Sequence, residues 1–432
     1  MSDAKYRTEP RTDSVHHGFL IHPPAKGLGC AGRDIAANDI PKLGWNLFAE
    51  DLSLPTAVLL EERLRHNVAW MKEFAAAYRV QLAPHGKTTM APKLFRRQLE
   101  AGAWGITLAT APQVRAAYEH GIRRVLMANQ LVGKENVALV ARMLEDPSFE
   151  FFCLVDSADL VEHLGRLLPD RGRRLNVLLE LGVDGGRTGV RDADALAATL
   201  AALEGRKAQF VLSGVEVYEG ILQDEPAIRK FLDRAVRATR QISEEGRFER
   251  SPAILSGAGS AWYDLVADVF AGAEFPHPVE IVLRPGCYLT HDVGVYREAQ
   301  ENIKRRNPIA QRMNSTLLPA LQLWAYVQSI PEPRKAILGL GKRDAAFDAG
   351  LPAPALRFRP GNAKPSPAPS SWFLTKMMDQ HAYMEISDGS GLRVGDMIGL
   401  DISHPCLTFD KWRYLSVVDS HYNVIEVVET FF

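Results

Sequence analysis

The sequence predicts an α/β protein with a (β/α)8 TIM-type barrel followed by a mostly β C-terminal domain. From Leu54 onward, short apolar segments alternate with segments of helical periodicity, and eight such pairs fit into about 220 residues, close to the usual size of this barrel. The apolar segments contain few polar residues, which is typical of parallel strands buried on both faces. A doubly wound sheet is the alternative, but the glycine-rich dinucleotide motif after its first strand is absent.

Each predicted strand is followed directly by a predicted helix. The strands, in chain order, are 57–60, 80–83, 105–110, 124–129, 149–156, 175–182, 209–218 and 253–256. The helices are 61–78, 92–101, 112–120, 134–145, 158–168, 193–203, 226–245 and 261–271. This alternation indicates a parallel sheet, because two neighbouring parallel strands need a crossover connection, which is usually a helix.

The alternation stops after Glu280. From there, strand-like segments separated by Gly, Pro and Asp dominate, as in a β domain. Residues 360–371 are rich in Pro and Ser and are predicted to form a loop. We therefore predict three parts: an N-terminal arm (1–53) packed on the β domain, a cofactor-binding barrel (54–280) and a β domain (281–432).

The composition of the 432-residue chain is that of a globular protein, with 46% apolar and 24% charged residues. Its formal net charge of −1 argues against nucleic acid or an anionic membrane surface as a partner. There is no apolar run of about 18 residues, so no membrane span is expected. Segment 1–14 lacks the apolar core of a secretory signal and the four cysteines are scattered, which predicts a cytoplasmic enzyme with reduced thiols.

A lysine stands where the second predicted strand gives way to a helix. The segment 80–89 reads VQLAPHGKTT: the apolar strand stops at Pro84, and His85 and Lys87 follow. Active sites of these barrels form at the carboxyl ends of the strands, so a lysine in this position is well placed for chemistry. A solvated surface lysine is the alternative interpretation.

A loop of small residues follows the eighth predicted strand. Ser256, Gly257, Gly259 and Ser260 lie directly before a helix, where backbone N–H groups can converge on a phosphate. An ordinary βα turn is the alternative. A phosphate seat combined with a lysine at a strand end predicts pyridoxal 5'-phosphate (PLP) held as a Schiff base on Lys87.

Two more side chains near strand ends are candidate cofactor contacts. Arg187, in the glycine-rich turn after the sixth predicted strand, is placed to face the phenolic oxygen of PLP or a substrate carboxylate. Tyr218, after the seventh, is placed to reach the pyridine ring. A surface arginine and a core aromatic ring with a solvated hydroxyl are the alternative interpretations.

The C-terminal domain carries a candidate metal pair, His404 and Cys406. On an extended strand, residues at i and i+2 share one face, and imidazole and thiolate are good zinc ligands. Two ligands are fewer than the three of a usual catalytic zinc site, so substrate or water would complete the shell. A partly buried histidine beside a core cysteine is the alternative.

Together and in this order, these motifs resemble the D-threonine aldolase/D-serine dehydratase-like family. The resemblance extends from about residue 54 to about residue 420. The segments that carry it are Pro84–Thr88, Gln98–Ala103, Gly185–Gly189, Arg284–Tyr288 and His404-x-Cys406. It implies a fold type III PLP enzyme with an alanine racemase-like barrel, a β domain, a divalent metal and a homodimeric assembly.

The resemblance also implies roles for particular residues. Lys87 looks like the catalytic Schiff-base lysine, and His404 and Cys406 look like the metal ligands. Tyr288 looks close to the phosphate. The complete set of candidate cofactor contacts is His85, Lys87, Arg187, Tyr218, Ser256, Gly257, Gly259, Ser260 and Tyr288.

Aldolases of this family typically carry His-x-Asp at the metal, whereas D-serine dehydratases carry His-x-Cys. Cys406 therefore suggests the bacterial D-serine deaminase/amino acid deaminase branch. The implied activity is that of a PLP- and zinc-dependent lyase that converts a D-β-hydroxy amino acid to a 2-oxo acid and ammonia. Aldol cleavage to glycine and an aldehyde, racemisation, and non-catalytic PLP carriage are the alternatives. The substrate is expected to be a small D-amino acid, with D-serine, D-threonine and hydroxyaspartate all compatible.

Overall fold

The computed structural model describes residues 19–30, 32–168 and 172–432. The strands in these residues are β1 (Leu20–Ile21), β2 (Ile35–Ala36), β3 (Thr56–Leu60), β4 (Gln81–Leu82), β5 (Ile106–Leu108), β6 (Arg124–Gln130), β7 (Glu150–Val155), β8 (Leu175–Leu181), β9 (Phe210–Val217), β10 (Ala253–Gly257), β11 (Val279–Leu283), β12 (Leu321–Glu332), β13 (Lys335–Leu338), β14 (Ala353–Phe358), β15 (Ser366–Pro367), β16 (Phe373–Met377), β17 (Ala382–Glu385), β18 (Met397–Asp401), β19 (Tyr414–Val418) and β20 (Val424–Glu429).

The α-helices lie mostly between the strands of the first half. They are α1 (Glu61–Tyr78), α2 (Pro92–Glu100), α3 (Ala111–Glu119), α4 (Lys134–Met143), α5 (Ala158–Leu167), α6 (Ala193–Gly205), α7 (Glu225–Glu244), α8 (Tyr263–Ala271), α9 (Val295–Arg306), α10 (Pro308–Arg312) and α11 (Cys406–Phe409). None of the helices in the described parts of the chain has the length and apolar character needed to cross a membrane.

Strands β4 to β11 form the predicted parallel barrel. They are hydrogen-bonded in the order β4-β11-β10-β9-β8-β7-β6-β5. The ring closes between β4 and β5, where the Trp104 N–H donates to the Leu82 carbonyl at 2.7 Å and the Thr107 N–H to the Pro84 carbonyl at 2.9 Å. Because all eight strands run parallel, their carboxyl ends meet in a single mouth.

Two apolar layers hold the barrel together. Leu126 and Phe152 belong to a small cluster inside the ring, whereas their neighbours Val125 and Phe151 belong to the large core under the helices. Alternate residues of a strand point to opposite faces, so both faces of the barrel strands are buried. The nearly continuous apolar runs seen in the sequence follow from this double burial.

The prediction was wrong about the strands at the two ends of the barrel. Strand β3, predicted as the first barrel strand, pairs antiparallel with β12 and parallel with β19 in the C-terminal sheet. Strand β11, predicted to lie outside the barrel, pairs in parallel with β10 and β4 and is a barrel strand. All five residues of β3 are buried and α1 follows at once, so its sequence matches that of a barrel unit.

The C-terminal sheet runs in the order β15-β14-β18-β12-β13-β17-β16, with β3, β19 and β20 attached beside β12. The described part of the N-terminal arm packs on this sheet: Ile40 and Leu47 share an apolar cluster with Trp324. Phe48 meets the Trp324 ring edge-on, with 5.2 Å between ring centroids. In the predicted loop 360–371, two residues form β15.

Gly214 in β9 provides a test of barrel packing. A Cβ atom at this position would lie 2.0 Å from the backbone oxygen of Ile254 on the adjacent strand β10. We expect Gly214→Ala to lower the free energy of unfolding by about 1–3 kcal/mol, because backbone cannot move aside as a side chain can. Thermal unfolding followed by circular dichroism measures the effect.

Gly205→Ala is the matched control, since Gly205 is exposed at the end of α6 and nothing lies within 4 Å of an added Cβ atom. It should leave the melting temperature unchanged or raise it slightly, since alanine is the better helix former. Equal melting temperatures for wild type and Gly214→Ala would contradict the close β9–β10 approach.

Candidate active site

Lys87 lies at the mouth of the barrel, on a short 3-10 turn (Gly86–Thr88) that follows β4. The turn is held in place because His85, the residue before it, pairs in parallel with Thr107 after β5. The Lys87 side chain is open to the mouth. Burial of the surrounding site lowers its pKa; Arg187 reinforces this shift, whereas Cys406 opposes it. A larger share of neutral amine is what a nucleophilic or proton-accepting lysine needs.

His85 is a neutral imidazole at the base of the mouth. Burial holds its pKa well below the usual range, and the positive charges of Lys87 and Arg284 add to the effect. Its Nδ1 atom is buried without a hydrogen-bond partner in the described residues. A buried polar atom without a partner is uncommon in proteins, so this nitrogen marks a place for a ligand atom.

Arg187 and Tyr218 lie together at the mouth, with the guanidinium carbon 4.2 Å from the centre of the phenol ring. This is a cation–π contact, which holds the arginine over the ring. Burial raises the pKa of Tyr218, and its hydroxyl therefore stays protonated. The turn that carries Arg187 is fixed by Thr188, whose hydroxyl donates to Glu180 at 2.7 Å.

The predicted phosphate loop is already hydrogen-bonded within the protein. The Ser256 hydroxyl is buried in β10 and donates to the Val282 carbonyl at 2.9 Å. The N–H groups of Ala258 and Gly259 donate to the buried Glu219 carboxylate at 3.1 and 2.7 Å. Thus the Ser256–Gly259 part of the loop presents neither this hydroxyl proton nor these two N–H groups to the mouth.

Ser260 marks a better anion seat. Its Oγ accepts hydrogen bonds from the N–H groups of Gly286 at 3.2 Å and Cys287 at 3.1 Å. An added Cβ atom at Gly286 would come within 2.5 Å of the His85 backbone oxygen, so only glycine fits there. By contrast, a Cβ atom at Gly257 would contact apolar side chains under the helices, including Val266. Ser260 therefore joins the loop after β10 to the turn after β11, and its hydroxyl proton is a donor that the loop can offer to an anion.

Tyr288 faces away from these groups. It is buried in the large apolar core, and its hydroxyl accepts a hydrogen bond from Gln98 Nε2 on α2 at 2.9 Å. Burial raises its pKa, which keeps the phenol neutral. The phenol thus packs between the barrel and α2, and the structure does not bring it together with the other predicted cofactor contacts.

The metal pair is brought to the same mouth from the C-terminal domain. His404 and Cys406 follow β18 in a turn, and Cys406 begins α11, so they do not share a strand face as predicted. Cys406 Sγ lies 3.4 Å from Thr88 Oγ1, on the turn of Lys87, while His404 Nδ1 bonds Asp348 Oδ2 at 2.8 Å. Residues far apart in sequence thus meet beside the lysine.

In this pair a thiolate lies beside a protonated imidazole, and a metal ion would displace the imidazole proton on binding His404. The hydrogen bonds of Cys287 and His404 lower the pKa of Cys406 to about 4, and Cys406 in turn raises the pKa of His404 to about 9. Cys406 is thus a thiolate, the form that binds metals. Within residues 19–30, 32–168 and 172–432, no group of three or more His, Cys, Asp or Glu side chains is already gathered as a metal site.

Several residues at the mouth were not predicted as site residues from the sequence. Below it, Arg284 and Glu216 form a buried ion pair, and Arg284 also donates to the Val217 carbonyl at 3.0 Å. Burial raises the pKa of Glu216, whereas the attraction of the Arg284 guanidinium lowers it. The polar residues after β9 and the Arg-Pro-Gly after β11 were visible signals, but Asp348 lies in a segment with no motif.

Comparison with known proteins identifies the class. The family model for the N-terminal domain of alanine racemase matches residues 61–290, and that for a putative serine dehydratase domain matches residues 320–418. The first covers more than half of the chain. The chain therefore belongs to the alanine racemase-like, fold type III family of PLP-dependent enzymes.

The chain is similar to two curated proteins. The D-threonine aldolase of Arthrobacter sp is 25% identical over 414 residues, which cover 94% of this chain and 95% of that protein. The D-threo-3-hydroxyaspartate dehydratase of Delftia sp. (strain HT23) is 28% identical over 139 residues, 32% of this chain and 36% of that protein.

Solved structures confirm the predicted fold. The D-threonine aldolase of Filomicrobium marinum superposes with a TM-score of 0.73 at 21% identity, covering 90% of this chain and 97% of that one. The dehydratase of Delftia sp. HT23 does so with a TM-score of 0.68 at 20% identity, covering 89% and 99%.

Glu219 provides a test of how the mouth is built. Its carboxylate holds Ala258, a non-glycine residue with a φ of +83°. We expect Glu219→Ala to cost about 2–4 kcal/mol of unfolding free energy, because two N–H groups then lose a charged acceptor. Glu219→Gln keeps a carbonyl acceptor and should cost less. Denaturant unfolding of the three proteins compares them, and a Glu219→Ala variant as stable as wild type would contradict this role.

Proposed function

We propose that this protein is a PLP- and zinc-dependent lyase of the D-serine dehydratase type, which converts a D-β-hydroxy amino acid to a 2-oxo acid and ammonia. The observation that carries the proposal is the contact between the two domains at the mouth. Cys406 of the metal pair lies against Thr88, the residue after Lys87. A lysine for PLP and a thiolate for a metal are thus close enough to act on one small substrate.

The residues at the mouth fit PLP. Lys87 supplies an amine with a lowered pKa, and the unpartnered Nδ1 of His85 lies beside it. The Ser260 hydroxyl accepts from the N–H groups of Gly286 and Cys287 and has its own proton to donate to a phosphate. Ser260 is the last residue of the loop Ser256–Ser260, which the sequence predicts as the phosphate seat.

The metal pair fits zinc. Imidazole and thiolate are ligands that zinc prefers, and Asp348 accepts from the His404 ring as a carboxylate does behind many zinc-bound histidines. The solved structures of D-threo-3-hydroxyaspartate dehydratase include a His-to-Ala mutant and, two positions along, a Cys-to-Ala mutant in the metal-free form. That spacing is the spacing of His404 and Cys406.

When bound, PLP supplies an electron sink for charge at the substrate α-carbon, and zinc polarises the β-hydroxyl group. The chain supplies the remaining functions. Lys87, neutral for part of the time, takes the α-proton as a general base. Arg187 is the cation available for the substrate carboxylate, and its stacking on Tyr218 fixes where that carboxylate binds.

Aldol cleavage is the second candidate. It is favoured by the match to D-threonine aldolase over nearly the whole chain. It is disfavoured by Cys406, because aldolases of the family typically carry aspartate at that position. The two reactions differ in the bond that breaks: dehydration breaks Cβ–O, whereas the aldolase reaction breaks Cα–Cβ.

Substitution of Lys87 tests the cofactor assignment. We expect Lys87→Ala, after desalting, to lack the visible absorbance of a PLP imine, because the proposed imine forms on the Lys87 amine. Absorbance spectroscopy measures this, and Lys72→Ala, which removes an exposed lysine on α1, is the control that keeps the band. Persistence of the band in Lys87→Ala would mean that the lysine is misassigned.

Product analysis tests the reaction. With D-serine and D-threonine we expect pyruvate and 2-oxobutyrate with ammonia. Glycine with acetaldehyde would indicate the aldolase, and the L-enantiomer a racemase.

Dialysis against a chelator should abolish release of the 2-oxo acid and zinc should restore it, because hydroxide is a poor leaving group without a Lewis acid. Full activity in a verified metal-free sample would refute the zinc requirement.

A further inference from the structure

A second thiol lies beside the metal pair. Cys287 follows barrel strand β11, is 3% exposed, and has its Sγ 3.8 Å from Cys406 Sγ and 3.9 Å from Thr88 Oγ1. Buried Cys153, by contrast, is part of the large apolar core under the barrel helices. Cys287 thus contacts a thiol and a hydroxyl group, whereas Cys153 packs among apolar side chains.

The sulfur separation fits a shared zinc ion. Two sulfurs at about 2.3 Å from one tetrahedral zinc are about 3.8 Å apart. A thiol–thiolate hydrogen bond can span a similar distance, so the distance alone does not distinguish it from a shared zinc ion. The number of available protein ligands favours the zinc ion. Catalytic zinc usually takes three protein ligands and leaves one position open, and His404 with Cys406 supplies only two.

We propose that Cys287 is the third protein ligand of the metal, which gives a site of two thiolates and one imidazole with a fourth position open to the substrate hydroxyl. This inference rests on the metal dependence in the proposed function and deepens it. Cys406 contacts both other residues, and Asp348 holds His404 by Nδ1, so Nε2 is the nitrogen left for the metal. The two sulfurs already lie at the separation that one zinc ion needs.

The proposed ligand set selects the metal. Two thiolates favour zinc over manganese or magnesium, which prefer oxygen ligands. It also divides the site between the domains, because Cys287 belongs to the barrel and the other two ligands to the β domain. Metal binding would therefore link the two domains at the mouth.

Zinc K-edge X-ray absorption of the PLP-loaded, zinc-reconstituted full-length protein tests this directly. We expect two sulfur scatterers at about 2.3 Å in wild type and one in Cys287→Ser. Zinc affinity, measured by competition with a chromophoric chelator, should fall at least about tenfold in Cys287→Ser. Cys30→Ser, which changes an exposed cysteine, should match wild type in both measurements.

The wild-type sulfur count does not depend on whether the variant folds. One sulfur in wild type, or a disulfide between the two cysteines in the intact mass, would overturn the inference. If zinc-dependent release of 2-oxo acid persists with one sulfur, the ligand assignment fails and the proposed function stands. If two sulfurs are found and no 2-oxo acid forms, the ligand assignment stands and the proposed function fails.

Discussion

The candidate site depends on one constraint, the docking of the C-terminal sheet against the mouth of the barrel. Strand β3 pairs with β12 and β19 in that sheet, and α1 alone separates it from the first barrel strand. The barrel therefore begins from a fixed point on the other domain. Because of this anchor, the turn after β18 meets the turn after β4, and Cys406 reaches Thr88.

Buried charge under the mouth supports the residues above it. The Arg284–Glu216 pair lies between β11 and β9, and the Glu219 carboxylate holds the loop after β10 through two backbone N–H groups. Such groups are costly to bury. The Arg284–Glu216 pair reaches across β10, and Glu219 bonds the loop of the adjacent strand β10. The strand ends are thus linked to one another, which fixes the positions of Ser260 and Tyr218 before any ligand binds.

The sequence was sufficient for the fold class and for the residues whose place follows from strand ends. Lys87 and Arg187 lie at the mouth because each follows a barrel strand. It was insufficient to place β3, because the apolar pattern of a buried strand does not show which sheet the strand joins. This strand is buried like a barrel strand yet belongs to the C-terminal sheet. The sequence also did not show that the Glu219 carboxylate accepts hydrogen bonds from two N–H groups of the loop that was predicted to bind a phosphate. No local pattern reveals such partners.

The placement of β3 also bears on how the protein is made. Residue 60 leaves the ribosome about 260 residues before residue 321, where its antiparallel partner begins. During that interval a strand with four apolar residues, Ala57–Leu60, has no partner strand, and unpaired strand edges in partly folded chains favour aggregation. The barrel can assemble first, but the nascent chain then carries an exposed segment that chaperones would have to cover until synthesis is nearly complete.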